Sequence, residues 1–128
     1  MNCAATILVV EDEPDILKLI RTALSKVPTY TVLCARSGEE GLKISLASRR
    51  TIHLLVSNVF LPGMLGSTMA AKIKAQRPRM RVILVDGKGR GKLALLGLNA
   101  GWEVLRKPQT GAALLERVRA ELVRGQRD

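Results

Sequence analysis

The amino-acid sequence predicts an α/β fold, a parallel sheet of about five strands with helices on both faces. Short apolar runs of β-branched and aliphatic residues recur along the chain, and amphipathic stretches with helical spacing lie between them. The apolar runs lack the alternation of a half-exposed strand, which predicts that both of their faces are buried. Strands that alternate with helices in this way favour parallel pairing.

The elements follow in order from these patterns. Pro14 lies near the start of the first helix, where proline is tolerated, and Pro28 is expected to end it. Ser37, with Glu40 three residues later, predicts a capping box at the second helix. Thr110 is the expected cap of the last helix. The predicted strands cover residues 6–10, 30–35, 52–58, 81–86 and 102–106, and the predicted helices cover residues 14–27, 37–50, 67–76, 93–101 and 110–124.

Length and composition indicate one domain over residues 1–128, large enough to bury a core. Only 2% of the residues are aromatic, which argues against single-stranded nucleic-acid binding by base stacking. No apolar stretch approaches the length of a membrane span, and the first residues lack the pattern of a signal peptide. The two cysteines, Cys3 and Cys34, are too few for a disulfide framework and are expected to be reduced thiols of a cytoplasmic protein.

The formal net charge of +10 favours acidic partners such as nucleic acid, anionic lipid or an acidic protein surface. The alternative is a solvated basic surface with no partner. The sequence contains no recognition-helix motif, which argues against nucleic acid without excluding it.

Polar residues cluster where the predicted strands end, and ligand sites of open α/β sheets lie at that edge. Glu11 and Asp12 follow the first strand, and oxygen-rich groups of this kind suit a hard divalent cation such as magnesium. Glu13 and Asp15 are better explained by the helix macrodipole. The other polar strand ends are Asn58 after the third strand, Asp86 after the fourth and Lys107 with Pro108 after the fifth.

Three segments together resemble the signature blocks of response-regulator receiver domains, the CheY-like family, and the similarity extends from residue 7 to residue 123. The segments are ILVVEDEPDILKLI, NVFLPGMLG and RKP. The resemblance implies a flavodoxin-like, doubly wound sheet of five parallel strands in the order 2-1-3-4-5, with helices on both faces. It also implies a sensor kinase that phosphorylates an aspartate at the end of the third strand, beside bound magnesium.

By position in that family, Glu11 and Asp12 correspond to the acidic pair that holds magnesium, with Asp12 as the expected direct ligand. The backbone carbonyl of Phe60 corresponds to a further ligand of the metal. Lys107 corresponds to the lysine that contacts the phosphoryl group, and the peptide bond before Pro108 is expected to be cis.

Three residues depart from the family pattern. Asn58 stands where the phospho-accepting aspartate belongs, Asp86 replaces the switch serine or threonine, and Val104 replaces the switch aromatic residue. An aspartyl phosphate forms by attack of a carboxylate oxygen on phosphorus, and the amide of Asn58 lacks such an oxygen. Asn58 remains a weak ligand for a metal, and magnesium binding is expected to be weak or absent.

The sequence therefore predicts a degenerate receiver domain of a two-component phosphorelay, a pseudo-receiver that signals by protein–protein interaction and is not an enzyme. The expected partner is a sensor kinase or an output protein, bound through the last two helices and the fifth strand, and a homodimer is compatible with the same surface. One alternative is a phosphorylatable receiver that uses another carboxylate, such as Asp86 or Asp12. The other is a basic nucleic-acid-binding module.

Overall fold

Residues 3–86, 102–106 and 110–127 are described by the structure, a computed structural model. The predicted helix over residues 93–101 lies outside these residues. The main-chain elements are β1 (Ala5–Val10), α1 (Pro14–Ser25), β2 (Tyr30–Ala35), α2 (Gly38–Ala47), β3 (Leu54–Asn58), β4 (Phe60–Leu61), β5 (Met64–Leu65), α3 (Gly66–Gln76), β6 (Arg81–Asp86), β7 (Glu103–Arg106) and α4 (Gly111–Arg127).

Five strands form one sheet in the order β2-β1-β3-β6-β7, and each neighbouring pair is parallel. This confirms the predicted fold and strand order. In the central register, Val10 of β1 pairs with Ser57 of β3, and Asn58 pairs with Val85 of β6. The carboxyl ends of three adjacent strands therefore meet at one edge of the sheet.

Alternate side chains of β1 point to opposite faces of the sheet, as the pleat requires. Ile7 and Val9 pack in a core with residues of α1 and α4. Leu8 and Val10 pack in a second core with residues of α2 and α3. Both cores are largely aliphatic, in accord with the low aromatic content of the chain.

The predicted helix caps are confirmed, although some helix ends differ from the predictions. The Oγ of Ser37 accepts a hydrogen bond from the Glu40 N–H at 3.1 Å, and the Oγ1 of Thr110 accepts one from the Ala113 N–H at 3.0 Å. The Glu40 carboxylate bonds to the Arg36 N–H instead of closing the capping box on Ser37. The first helix ends at Ser25, two residues before its predicted end.

A short hairpin follows β3 where the sequence predicts only a loop. Phe60 pairs with Leu65 and Leu61 pairs with Met64 in antiparallel orientation. Gly63 lies in the turn with φ of +81°, a conformation that is strained for residues with a side chain. The hairpin brings the chain back beside Asn58, where α3 begins.

Gly66 occupies the tightest position in this return. Its N–H donates a hydrogen bond to the Val59 carbonyl at 2.7 Å. A Cβ atom at this position would collide with the carbonyl oxygen of Asn58 and would lie 2.9 Å from the Ser57 Oγ. A glycine is therefore required where α3 starts against the end of β3.

No helix in residues 3–86, 102–106 and 110–127 is long and apolar enough to cross a membrane. Both Cys3 and Cys34 are free thiols.

We expect Gly66→Ala to lower the free energy of unfolding by about 1–3 kcal/mol, the usual cost of overpacking a rigid contact. The obstructing atom is a backbone oxygen, which cannot move aside without shifting the end of β3. Urea denaturation followed by circular dichroism measures the change. Ser67→Ala, one position along the same helix, is the matched control and should change stability by less than about 0.5 kcal/mol. Equal stability of the two variants would contradict the tight contact.

Candidate functional site

The polar residues predicted at the strand ends lie at the carboxyl edge of the sheet. Glu11 and Asp12 directly follow β1, and Asn58 is the last residue of the neighbouring strand β3. The Glu11 N–H donates to the Ala35 carbonyl at 3.0 Å, which fixes the chain after β1 against the end of β2. The sheet therefore brings the acidic pair beside Asn58, as the sequence predicts.

The side-chain amide of Asn58 joins the two acids. Its Nδ2 donates to the Glu11 Oε2 at 3.3 Å and to the Asp12 Oδ1 at 3.2 Å. A primary amide nitrogen carries two hydrogens, and the arrangement provides one for each carboxylate. Asn58 is only 6% exposed and Glu11 only 1%. The contact is thus a buried bridge between carboxylates from one strand end and an amide from the next.

Burial of the Glu11 carboxylate requires compensation, because a buried ionised group without hydrogen bonds is strongly unfavourable. The backbone N–H of Glu13 donates to the same Oε2 atom at 3.2 Å. Glu13 is the N-cap residue of α1, where the helix macrodipole favours negative charge. The amide bridge and the start of α1 therefore stabilise Glu11 from two directions.

The carbonyl oxygen of the Asn58 side chain has a different environment. Asn58 Oδ1 is buried and has no hydrogen-bond donor among the described residues. The reversed amide would place this oxygen against two carboxylates, which repel it. The acids therefore determine the orientation of the amide, and a buried acceptor without a donor carries a cost of about 1–3 kcal/mol.

The side chain of Asn58 does not present an oxygen to the acidic pair, as a ligand of a magnesium ion held there would. The atom that faces both carboxylates is an amide nitrogen, which donates hydrogen bonds and does not ligate a cation. Within residues 3–86, 102–106 and 110–127, no group of three His, Cys, Asp or Glu side chains is placed to hold a metal.

The remaining predicted positions lie near this edge or outside the described residues. Asp86 ends β6 and is 7% exposed, and Val104 is half-buried on β7 opposite Leu84. Phe60 is half-buried at the start of β4. Lys107 and Pro108 lie outside the described residues.

Sequence reasoning missed two features of the site. It treated Asn58 as a lost nucleophile and a weak ligand, whereas the structure uses its nitrogen as a donor to both acids. It also assigned no role to Gly66, which lies against the Asn58 carbonyl. No local pattern singles out Gly66, because the obstructing oxygen belongs to Asn58, on the far side of the hairpin. The signal for the amide was the excess of acceptors over donors after the first strand.

Comparison with known proteins agrees with this architecture. The family model for the response regulator receiver domain matches residues 7–119. The transcriptional regulatory protein GlrR of Escherichia coli (strain K12) is 31% identical over 115 residues, which are 89% of this chain and 25% of that protein. AfsQ1 of Streptomyces coelicolor is 31% identical over 124 residues, 96% of this chain and 53% of that protein. The chain thus spans a quarter to about half of these relatives.

Solved structures show the same fold. A response regulator receiver domain protein from Clostridium thermocellum superposes with a TM-score of 0.83 at 32% identity, covering 95% of this chain and 97% of that chain. TrrA from Thermotoga maritima, solved in complex with Mg²⁺ and BeF, gives a TM-score of 0.74 at 27% identity, covering 91% and 97%. The family match, the strand order and the polar strand ends lead to one conclusion: the chain belongs to the response regulator receiver domain family.

Proposed function

We propose that this chain is a pseudo-receiver, a receiver domain that signals by protein–protein interaction without a phosphoryl group on residue 58. The observation that carries the proposal is the amide bridge, in which Asn58 donates to both Glu11 and Asp12. The bridge fills the acidic pocket with a neutral side chain that resembles aspartate in shape. The domain retains the receiver fold while the acceptor chemistry is absent from this position.

The chemistry of residue 58 supports this proposal. Phosphoryl transfer to a carboxylate needs an oxygen with a lone pair that can attack phosphorus. The amide nitrogen of Asn58 has its lone pair delocalised into the carbonyl group, and both of its hydrogens are directed at carboxylates. The departures at Asp86 and Val104 also support the absence of a phosphorylation switch. The Asp86 carboxylate would repel a phosphoryl oxygen, and Val104 has no aromatic ring that could change its rotamer.

Weak or absent magnesium binding is part of the proposal. Glu11 and Asp12 supply two carboxylates, and the third acidic ligand of an ordinary receiver is replaced by an amide. For Asn58 to ligate a cation through Oδ1, the amide would have to turn over and give up both hydrogen bonds to the acids. The Phe60 carbonyl is the other ligand that we assign to such a site.

The proposed partners are a sensor kinase or an output protein in the cytoplasm. We assign the contact surface to the last two helices with the fifth strand of the sheet, and a homodimer could use the same surface. Of these elements the structure describes β7 and α4. β7 is an edge strand, paired only with β6 among the described strands, and Val123 on α4 is 46% exposed. Both features suit a docking surface.

The wild-type chain should gain no stable phosphoryl group when it is incubated with a small phosphodonor and magnesium. No carboxylate stands at residue 58 to accept it, which intact-mass analysis tests directly. A receiver with an aspartate at this position serves as the positive control for the phosphodonor. A stable gain of one phosphoryl group would overturn the proposal, and peptide mapping would then distinguish Asp86 from Asp12 as the acceptor.

Asn58→Asp should be less stable than the wild type without magnesium, by roughly 3 kcal/mol, because it replaces two donated hydrogen bonds with a third negative charge. Added magnesium should raise the thermal midpoint of this variant and leave that of the wild type nearly unchanged. Thermal unfolding with and without magnesium measures both effects. Asn58→Ala, which loses the hydrogen bonds without adding a charge, is the matched control and should not respond to the metal. A wild-type response as large as that of Asn58→Asp would contradict weak magnesium binding.

A further inference from the structure

Among the described residues, positive charge is concentrated at the amino end of the sheet, opposite the Asn58 site. The four described helices end here and the strands begin here. Among the side chains described at this end, Glu121 is the one carboxylate, and it is 3% exposed. We call this region the basal surface and define it by Arg49, Arg50, His53, Arg77, Arg79, Arg81 and Arg124.

The basal surface contains an open cavity of about 530 Å³. Arg77, Arg79, Arg81 and His53 line its polar part, and Ile52 and Met80 are among the residues that form its apolar floor. No carboxylate lines it among the described residues. A concave surface with guanidinium groups at its walls focuses positive potential on whatever enters it.

Arg77 lines this cavity, and its guanidinium group donates hydrogen bonds to neutral acceptors. Its Nε donates to the Ser45 Oγ at 3.0 Å, and its Nη2 donates to the carbonyls of Ser45 and Ser48 at 2.9 Å each. Its Nη1 donates to the Arg50 carbonyl at 2.8 Å. The guanidinium therefore lies at the end of α2, and none of these four acceptors carries a formal charge that would neutralise it.

Arg81 and Arg124 share one carboxylate. The Nε and Nη2 of Arg81 lie 2.9 and 2.8 Å from the Glu121 Oε1, and the Nη1 of Arg124 lies 3.1 Å from the Glu121 Oε2. The shared carboxylate therefore fixes both guanidinium groups at this end of the sheet. Gly125 permits this arrangement, because a Cβ there would lie 3.0 Å from the Arg81 Cγ.

The pKa of the neighbouring Lys74 reflects both burial and the nearby positive charge of Arg81. Lys74 donates to the carbonyls of Pro78 and Met80 at 2.9 and 2.7 Å. Burial lowers the pKa of its ammonium group, and the nearby Arg81 guanidinium lowers it further.

We propose that the basal surface binds the phosphate backbone of nucleic acid. Six of its seven defining residues are arginines, and the planar guanidinium fork matches phosphate oxygens better than the lysine ammonium does. The acidic residues after β1 lie at the opposite end of the sheet, where they do not oppose a polyanion. This proposal does not rest on the signalling role proposed above for Asn58 and its neighbours.

A nucleic acid fits this surface better than a membrane does. Membrane-surface segments insert large exposed apolar side chains. The large exposed hydrophobic residues in the described part of the chain are Leu19, Leu46, Leu65 and Val123, and none of them lines the cavity. Since no Phe, Tyr or Trp of the described residues lines the cavity, the contact is with phosphates and is insensitive to base sequence.

The test measures binding of a labelled duplex DNA of arbitrary sequence by fluorescence anisotropy over a range of salt concentrations. The wild-type chain should bind, with an affinity that falls steeply as salt rises. The triple variant Arg49→Glu, Arg50→Glu, Arg79→Glu should bind at least about tenfold more weakly, and its salt slope should fall by about two to three. Circular dichroism confirms that each variant is folded.

The matched control is Lys18→Glu, Arg21→Glu, Lys43→Glu, which makes the same change of net charge at exposed positions of α1 and α2. It should retain most of the DNA affinity. Equal loss in the two triple variants would assign binding to net charge alone and overturn the proposal. Failure of the wild type to bind DNA, or stronger binding to polyglutamate or to phosphatidylglycerol vesicles than to DNA, would also overturn it. None of these outcomes bears on whether residue 58 is phosphorylated.

Discussion

The carboxyl edge of this receiver domain is organised by the need to stabilise a buried carboxylate. Glu11 is almost fully buried beside Asp12, and two neighbouring acids repel each other unless donors or cations compensate. Parallel pairing of β1 with β3 brings Asn58 to this point, and its amide nitrogen donates to both acids. The hairpin and Gly66 then hold the end of β3 in place. These hydrogen bonds, together with the one from the Glu13 N–H, offset part of the cost of burying the carboxylate.

Much of the fold could be predicted because its signals are local. Continuous apolar runs identify buried parallel strands, and Ser37 and Thr110 identify helix starts through side-chain bonds to nearby N–H groups. The strand order came from the family resemblance, since periodicity does not specify which strands are neighbours. The hairpin after β3 was missed because strands of two residues are too short to show a pattern. The first helix ended before Pro28 because the Lys26 N–H turns to the Ala23 carbonyl in a tighter last turn.

The candidate site was predictable in its positions and unpredictable in its contacts. The places of Glu11, Asp12 and Asn58 follow from strand ends, whereas the orientation of the amide depends on partners that are 46 and 47 residues away in sequence. The basic end of the molecule shows the same limit. The net charge follows from composition alone. The contacts of Arg77 with the end of α2 and of Arg81 with Glu121 form only when α2, α3 and α4 are packed on the sheet.

The salt bridge between Arg81 and Glu121 has a consequence for communication across the domain. It fastens the C-terminal half of α4 to the first residue of β6, the strand whose other end is Asp86. α4 has 17 residues, a rod of about 25 Å at the usual helical rise. A ligand that draws Arg81 away from Glu121 would loosen the attachment of this helix to β6 and alter what its outer face presents. Ligand binding at the basal surface and partner binding at the outer face of α4 would then be thermodynamically linked. Each ligand would change the affinity for the other by the same factor.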